Sequence, residues 1–276
     1  MRLVHLSDLH FGRHDSAVVE GLARELESQN ADLIVVSGDF TQVGSVREFA
    51  QAREFLDSLH APVFAVPGNH DVPQRDLFLR FIAPYSRYRR YIGFDLEPFH
   101  EDDTVAIAGL KTSRRANWRS LNWSDGAISR DQLDRLGDRF AKVPAHKVRI
   151  VVAHHPLLHP EEPMAHKQRR VRRADRALET FAQLGVRLVL SGHFHMSYVR
   201  RHEHAGEIRH AAPTGPRRAA AAPILVAQAA STTSTRLRGH PNAYNRIDIR
   251  DGTITIDVRE WGESGWVTRE KAQQPG

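Results

Sequence analysis

Residues 186–195 read VRLVLSGHFH: a short apolar, β-branched run, then a small residue, a glycine and two histidines separated by one residue. The same arrangement occurs four more times. RLVHL at 2–6 leads into Ser7-Asp8-Leu9-His10, DLIVV at 32–36 into Gly38-Asp39, and PVFAV at 62–66 into Gly68-Asn69-His70-Asp71. VRIVV at 148–152 leads into His154-His155. Runs of this length and composition read as buried strands. Between them, 17–28, 46–59, 75–90, 129–141 and 172–184 carry apolar residues at helical spacing, with Ser45 and Ser129 as N-caps. A further strand is expected at 104–110. The alternation predicts an α/β fold. Ligands of open α/β sheets bind beyond the carboxyl ends of the strands, so all five polar clusters are expected along one edge of the sheet. The tracts Phe78–Phe81 and Leu178–Leu184 read as core stripes.

After residue 195 the pattern becomes strand-rich. Residues 197–211 suggest a hairpin, 212–222 a loop, and 224–229, 244–250 and 253–260 successive strands. Asp251-Gly252 is a strong two-residue hairpin turn. This ending predicts a second sheet packed on the first. Residues 1–262 are expected to form one domain, and 263–276 a polar, frayed tail.

Composition narrows the class. With 41% hydrophobic and 26% charged residues, the chain resembles an ordinary soluble enzyme. No stretch approaches membrane-spanning length, and His5 and Asp8 interrupt what could have been an apolar leader. A cytoplasmic location without membrane partners is therefore the expectation. The absence of cysteine excludes disulfides and thiolate ligands. A net charge of +6 favours anionic partners. Its arginines fall as scattered pairs, among them Arg89-Arg90 and Arg114-Arg115, with the densest run at Lys167–Arg173; these read as solvated faces. The loop 111–123 (KTSRRANWRSLNW) reads equally as one wall of a substrate cleft or as a set of packing anchors.

The clusters offer aspartate, asparagine amide oxygen and histidine, and no sulfur. Such sets suit divalent ions of the Mn, Fe, Zn or Mg kind. Two ions about 3.5–4 Å apart need a bridging carboxylate and a few further ligands each, and this inventory comes close to that. Seventeen histidines also point toward a metal protein.

In order, Asp8-Leu9-His10, Gly38-Asp39, Gly68-Asn69-His70-Asp71, His154 and Gly192-His193-Phe194-His195 resemble the motifs of the calcineurin-like metallophosphoesterase superfamily. The resemblance implies a four-layer αββα sandwich of two packed mixed sheets. It implies two divalent metal ions (Mn, Fe or Zn), with Asp8, His10 and His195 holding one, Asn69, His154 and His193 the other, and Asp39 between them. A metal-bound hydroxide would attack phosphorus. His70 would stand at the leaving oxygen as acid or charge stabiliser, its ring oriented by Asp71. Gly38–Gly44 lacks the G-D-x-x-D-R-G of the protein phosphatases, and His70 stands where the UDP-diacylglucosamine hydrolases usually carry arginine. Motif order and size are more similar to the bacterial class III cyclic-nucleotide and glycerophosphodiester phosphodiesterases, as is the segment Ser231–Asn245. Their frequent His-His-Pro-Pro stands here as His154-His155-Pro156-Leu157. The expected substrate is a small anionic phosphodiester (a cyclic nucleotide, a glycerophosphodiester or an organophosphate diester). A DNA or RNA nuclease and a phosphomonoesterase are the alternatives, and a homo-oligomer is compatible with the sequence. His155, Arg236 and Arg238 are candidate substrate contacts, while His5 reads as a satisfied core histidine.

Overall fold

The computed structural model describes residues 1–116, 123–160, 169–203 and 222–274. Two six-stranded mixed sheets lie face to face. The first contains β1 (Arg2–Leu6), β2 (Leu33–Val36), β3 (Val63–Ala65), β10 (Ala243–Arg250), β11 (Thr253–Gly262) and β12 (Gly265–Gln274), in the order β12-β11-β10-β1-β2-β3. The second contains β4 (Phe99–Glu101), β5 (Val105–Leu110), β6 (Val148–Ala153), β7 (Val186–Ser191), β8 (Tyr198–His202) and β9 (Ile224–Gln228), in the order β4-β5-β6-β7-β9-β8. The helices are α1 (Ser16–Gln29), α2 (Val46–Asp57), α3 (Leu77–Ile82), α4 (Ser86–Tyr91), α5 (Arg130–Phe140) and α6 (Ala174–Gln183).

The apolar runs need no polar alternation because both faces of each central strand are covered. Leu3, Val35, Ile150, Val152, Leu188 and Leu190 meet between the sheets. Their neighbours Val4, Leu6, Ile34 and Val36 face a core completed by α1 and α2. Val151, Ala153 and Val189 face one completed by α5 and α6. The result is a four-layer αββα sandwich. Ser45 and Ser129 cap α2 and α5 with complete capping boxes, through Glu48 and Gln132. Asp251 and Gly252 form the β10–β11 turn, both at positive φ (49° and 74°), as a two-residue primed turn requires. Among the described residues, no helix is long and apolar enough to cross a membrane.

Four expectations are corrected. The five motif-bearing strands do not share a sheet: β1, β2 and β3 belong to the first, β6 and β7 to the second, and the late strands β10–β12 extend the first. The metal motifs therefore meet across the two sheets. Residues 265–274 are not frayed but form β12, paired with β11 along its length. Trp266 anchors it, buried with ring centroids 5.1 Å from Tyr244 and 5.5 Å from Trp261. The helix expected over 75–90 is two helices, because Pro84 forces Ala83 out of the helical region (φ −143°, ψ 63°). Finally, the stripe Phe78–Phe81 faces the wrong way for a core: Phe78 is 78% exposed, whereas Arg80 is 1% exposed. Arg80 turns inward because its guanidinium donates to the carbonyls of Val72, Pro73 and Arg115, and it lies 4.3 Å over the Trp123 ring. The Leu178–Leu184 stripe does pack in the core. The far arm of the expected 197–211 hairpin and most of the 212–222 loop lie outside the described residues.

His5 is buried in β1, with Nε2 2.9 Å from Ser37 Oγ and Nδ1 3.1 Å from Asn245 Nδ2. Burial lowers its pKa to about 3, the Asp8 charge opposing. The unfolded chain, with an ordinary histidine pKa, binds this proton first, so stability falls as pH drops below about 6.5. Between about pH 7.5 and about pH 5 the wild type should lose roughly 2 kcal/mol more than His5→Gln. Urea titrations at the two pH values check this; equal losses would place the acid sensitivity elsewhere.

Candidate metal centre

The candidate ligands come from the turns that end β1, β2, β3, β6 and β7. Eight non-glycine residues have positive φ among the described residues, and five of them are Asp8 (52°), His10 (49°), Asp39 (56°), His193 (78°) and His195 (58°). Such backbone costs of order 1–3 kcal/mol per residue and persists only where the surroundings impose it. Here the turns are clamped. Ser7 Oγ (2.6 Å) and the His193 amide (2.8 Å) both donate to Asp8 Oδ2, and the His70 amide donates to Asp39 Oδ1 (2.8 Å).

These clamps leave the other donor atoms facing one another. Asp8 Oδ1 lies 3.6 Å from His10 Nε2 and 3.2 Å from His195 Nε2. Asp39 Oδ2 lies 3.8 Å from His10 Nε2 and 3.3 Å from His154 Nε2, and His154 Nε2 is 3.1 Å from Asn69 Oδ1. His193 joins the His154 side, its ring 5.2 Å from that of His154. Backbone carbonyls set the tautomers: His154 Nδ1 is 2.8 Å from Ser37 O, and His195 Nδ1 is 3.1 Å from Arg236 O. Each Nδ1 therefore carries a hydrogen, and each Nε2 is the nitrogen turned inward, where an ion would take the place of any proton it holds. Asp8 Oδ1 is buried without a hydrogen-bond partner. Ligand atoms converging at 3.1–3.8 Å in a buried site call for a cation. Ligands about 2.0–2.2 Å from an ion are spaced roughly 3–3.6 Å apart, so the donor set fits divalent ions.

Electrostatics agree. Burial pushes the carboxyls of Asp8 and Asp39 up, but the histidines around them outweigh it and hold both below the ordinary range. Burial lowers His10, and burial with His155 and His154 lowers His193 well below the usual value, so both are neutral, as ligands must be. His154 is raised to about 9: burial opposes, and Asp39 wins. Two buried carboxylates here call for positive charge.

The catalytic candidates differ from expectation. Asp71 makes no hydrogen bond to the His70 ring. Its carboxylate accepts from the amides of Gly68 (2.8 Å), Asp39 (3.0 Å) and Thr41 (3.1 Å), tying two ligand turns together. Burial and the Asp39 charge raise it to about 7. The His70 ring is held instead through Nδ1, which lies 2.6 Å from the carbonyl of Gln42 and 2.9 Å from the side-chain amide of Gln74. Nε2 has no hydrogen-bond partner among the described residues, and the His70 and His10 rings meet edge to face at 4.8 Å.

His155 is buried with both ring nitrogens engaged, Nδ1 with Thr112 Oγ1 (2.7 Å) and Nε2 with Ser124 O (2.8 Å). It packs on His193 at 4.6 Å and has no nitrogen left for a substrate, which corrects its reading as a substrate contact. Arg236 acts through its carbonyl on His195. Burial and the neighbouring Arg236 lower the pKa of Arg238, Asp8 opposing, and neither guanidinium has a carboxylate partner among the described residues. The carbonyls of Ser37, Gln42 and Arg236 were invisible in the sequence, since every residue has one. Ser7, beside Asp8, was the one visible clue.

A family model for calcineurin-like phosphoesterases matches residues 1–197. The chain belongs to this family and is a phosphoester hydrolase whose family implies divalent metal ions. It is 26% identical over 225 residues to a probable cyclic nucleotide phosphodiesterase of Synechococcus sp., covering 72% of this chain and 75% of the relative. It is also 26% identical over 208 residues to the 3′,5′-cyclic adenosine monophosphate phosphodiesterase CpdA of Haemophilus influenzae, covering 71% and 70%. Among solved structures, a dimetal phosphatase from Danio rerio shares the fold with a TM-score of 0.67 at 12% identity, over 99% of this chain and 98% of that one.

Proposed function

We propose that the protein is a binuclear metal-dependent phosphodiesterase acting on small phosphodiesters. Asp8, His10 and His195 would hold one ion, Asn69, His154 and His193 the other, and Asp39 both. One observation carries this reading: two converging sets of lone pairs have the Asp39 carboxylate in common. When bound, the ions supply a water acidified toward neutrality and offset charge on the phosphoryl oxygens. His70, as imidazolium, would donate from Nε2 to the leaving oxygen and revert to the Nδ1–H tautomer that Gln42 O accepts. Preference for diesters rests on the likeness to the phosphodiesterases of Synechococcus sp. and Haemophilus influenzae.

The test uses metal-stripped protein reconstituted separately with Mn, Zn, Fe and Mg, assayed on bis(p-nitrophenyl) phosphate beside p-nitrophenyl phosphate. Metal-dependent, faster turnover of the diester is expected, and Asn69→Ala should abolish it. His70→Ala should lower kcat by about a hundredfold while both ions stay bound. Faster monoester turnover would overturn the diester assignment; no turnover with any metal would overturn catalysis here.

A further inference from the structure

Beside the metal centre lies a cationic recess that catalysis does not use. A cavity of about 450 Å³ opens where β5 ends, lined by Lys111, Arg114, Arg135, Arg172 and Arg173 with one acid, Glu97. A second, of about 420 Å³, adjoins it through Lys111, Ser113 and Arg114. Arg114, Arg172 and Arg173 come from the pairs and runs that composition alone presents as solvated faces.

Its position relative to the metal centre follows from strand pairing. Leu110 of β5 is level with Ala153 of β6, so Lys111 emerges beside His154 and Thr112 beside His155, one strand spacing away (about 4.8 Å). The Thr112–His155 hydrogen bond fixes that juxtaposition. The opposite wall is held by hydrogen bonds between two segments, Arg172 N to Gly126 O (3.0 Å) and Ile128 N to Arg172 O (3.2 Å). They bring the starts of α5 and α6 to the same recess.

The charge is unbalanced. Glu97 is engaged by Arg135 (2.9 Å), by the Gln132 side chain and by the Lys111 amide (3.2 Å). Arg114 and Arg172 have no carboxylate partner among the described residues. The Lys111 ammonium lies 5.1 Å over the Tyr85 ring. Burial lowers its pKa, Glu97 opposes, and the cations Arg89, Arg114 and Arg135 lower it further. Closely spaced cations with free donors in a concave site match a phosphate, which neutralises them and accepts several N–H bonds at once.

We propose that this recess binds a second phosphate of the substrate, making the preferred diester one that carries a further phosphate about a nucleotide away from the scissile bond. The proposal rests on the phosphodiesterase reading and narrows its substrate to linear phosphorylated nucleotides over cyclic mononucleotides.

The Mn-reconstituted enzyme would be assayed on thymidylyl-thymidine with and without a 5′-phosphate, together with bis(p-nitrophenyl) phosphate. The 5′-phosphate should raise kcat/KM by roughly ten- to a hundredfold. In Arg114→Ala/Arg172→Ala that ratio should fall to about one, an effect that general damage to the fold does not mimic. Metal-free protein would be titrated with inorganic phosphate by calorimetry, and the double variant should lose the binding. Equal rates on the two dinucleotides, with inorganic phosphate binding retained, would overturn the substrate assignment and give the recess to free phosphate. No phosphate binding and no preference would overturn the site altogether. If bis(p-nitrophenyl) phosphate is not cleaved, the phosphodiesterase reading and its narrowed substrate both fall, while the titration still decides whether the recess takes phosphate.

Discussion

Asp39→Asn should leave a folded protein that has lost about a thousandfold in kcat and cannot hold two ions together. Asparagine keeps the size of the side chain and an oxygen able to accept the His70 amide bond at 2.8 Å. What it loses is the anionic Oδ2, 3.3 Å from His154 Nε2 and 3.8 Å from His10 Nε2. An amide NH₂ there would face inward-pointing lone pairs, so neither half of the centre has its shared ligand. The metal-free fold should lose some stability. The histidines around Asp39, His154 foremost, outweigh burial and hold its carboxyl below the ordinary range, and the amide ends that attraction. Metal content by mass spectrometry, turnover of bis(p-nitrophenyl) phosphate and thermal melts separate the two effects. Wild-type Tm should rise with added metal by mass action, whereas the Asp39→Asn melt should be flat with metal and somewhat lower than wild type without it. A variant that binds two ions and keeps a tenth of the activity would refute the bridging role.

The difference between what was legible in the sequence and what was not follows from the range of the interactions involved. Each candidate ligand sits within five residues of a strand end, and strand, turn and ligand are local features. Pairing between strands is not local. Nothing in RLVHL distinguishes a β1 flanked by β2 and β10 from one in a single large sheet with β6, and that partition became visible only in three dimensions. Arg80 and Phe78 exchanged their expected places because three backbone carbonyls and an indole outweigh a periodic pattern only two turns long. His70 and Asp71 are adjacent, which suggested that one orients the other. Yet a carboxylate surrounded by three free amides serves them first, leaving the ring to a carbonyl. Trp266 gave β12 away in principle, since a tryptophan and a valine seldom sit in a frayed end.

The second large effect is expected at a residue with no side chain. A Cβ on Gly192 would fall 1.9 Å from Ser7 Oγ and 2.5 Å from Asp8 Oδ2, closer than any real contact. Gly192 follows β7, which is held to β9 by the Ser191–Gln228 pairing, and its amide donates to His154 O (2.9 Å). The backbone therefore cannot back away, and Ser7 with Asp8 must move. Both donors to Asp8 Oδ2, the Ser7 hydroxyl and the His193 amide, would be displaced with it. Gly192→Ala should cost about 1–3 kcal/mol of stability as overpacking and should weaken the ion held by Asp8, His10 and His195 more than the other. Adding Ser7→Ala removes the nearest atom and should recover part of the stability but not the metal affinity, because Asp8 would still lack its hydroxyl donor. Gly93→Ala, with nothing within 4 Å of the new Cβ, is the matched control and should be nearly silent. Urea unfolding with and without metal, read beside metal content, distinguishes these outcomes. A Gly192→Ala protein with wild-type stability and two bound ions would mean that the turn after β7 yields more easily than its neighbours allow, and that close packing there is not what holds Asp8 in place.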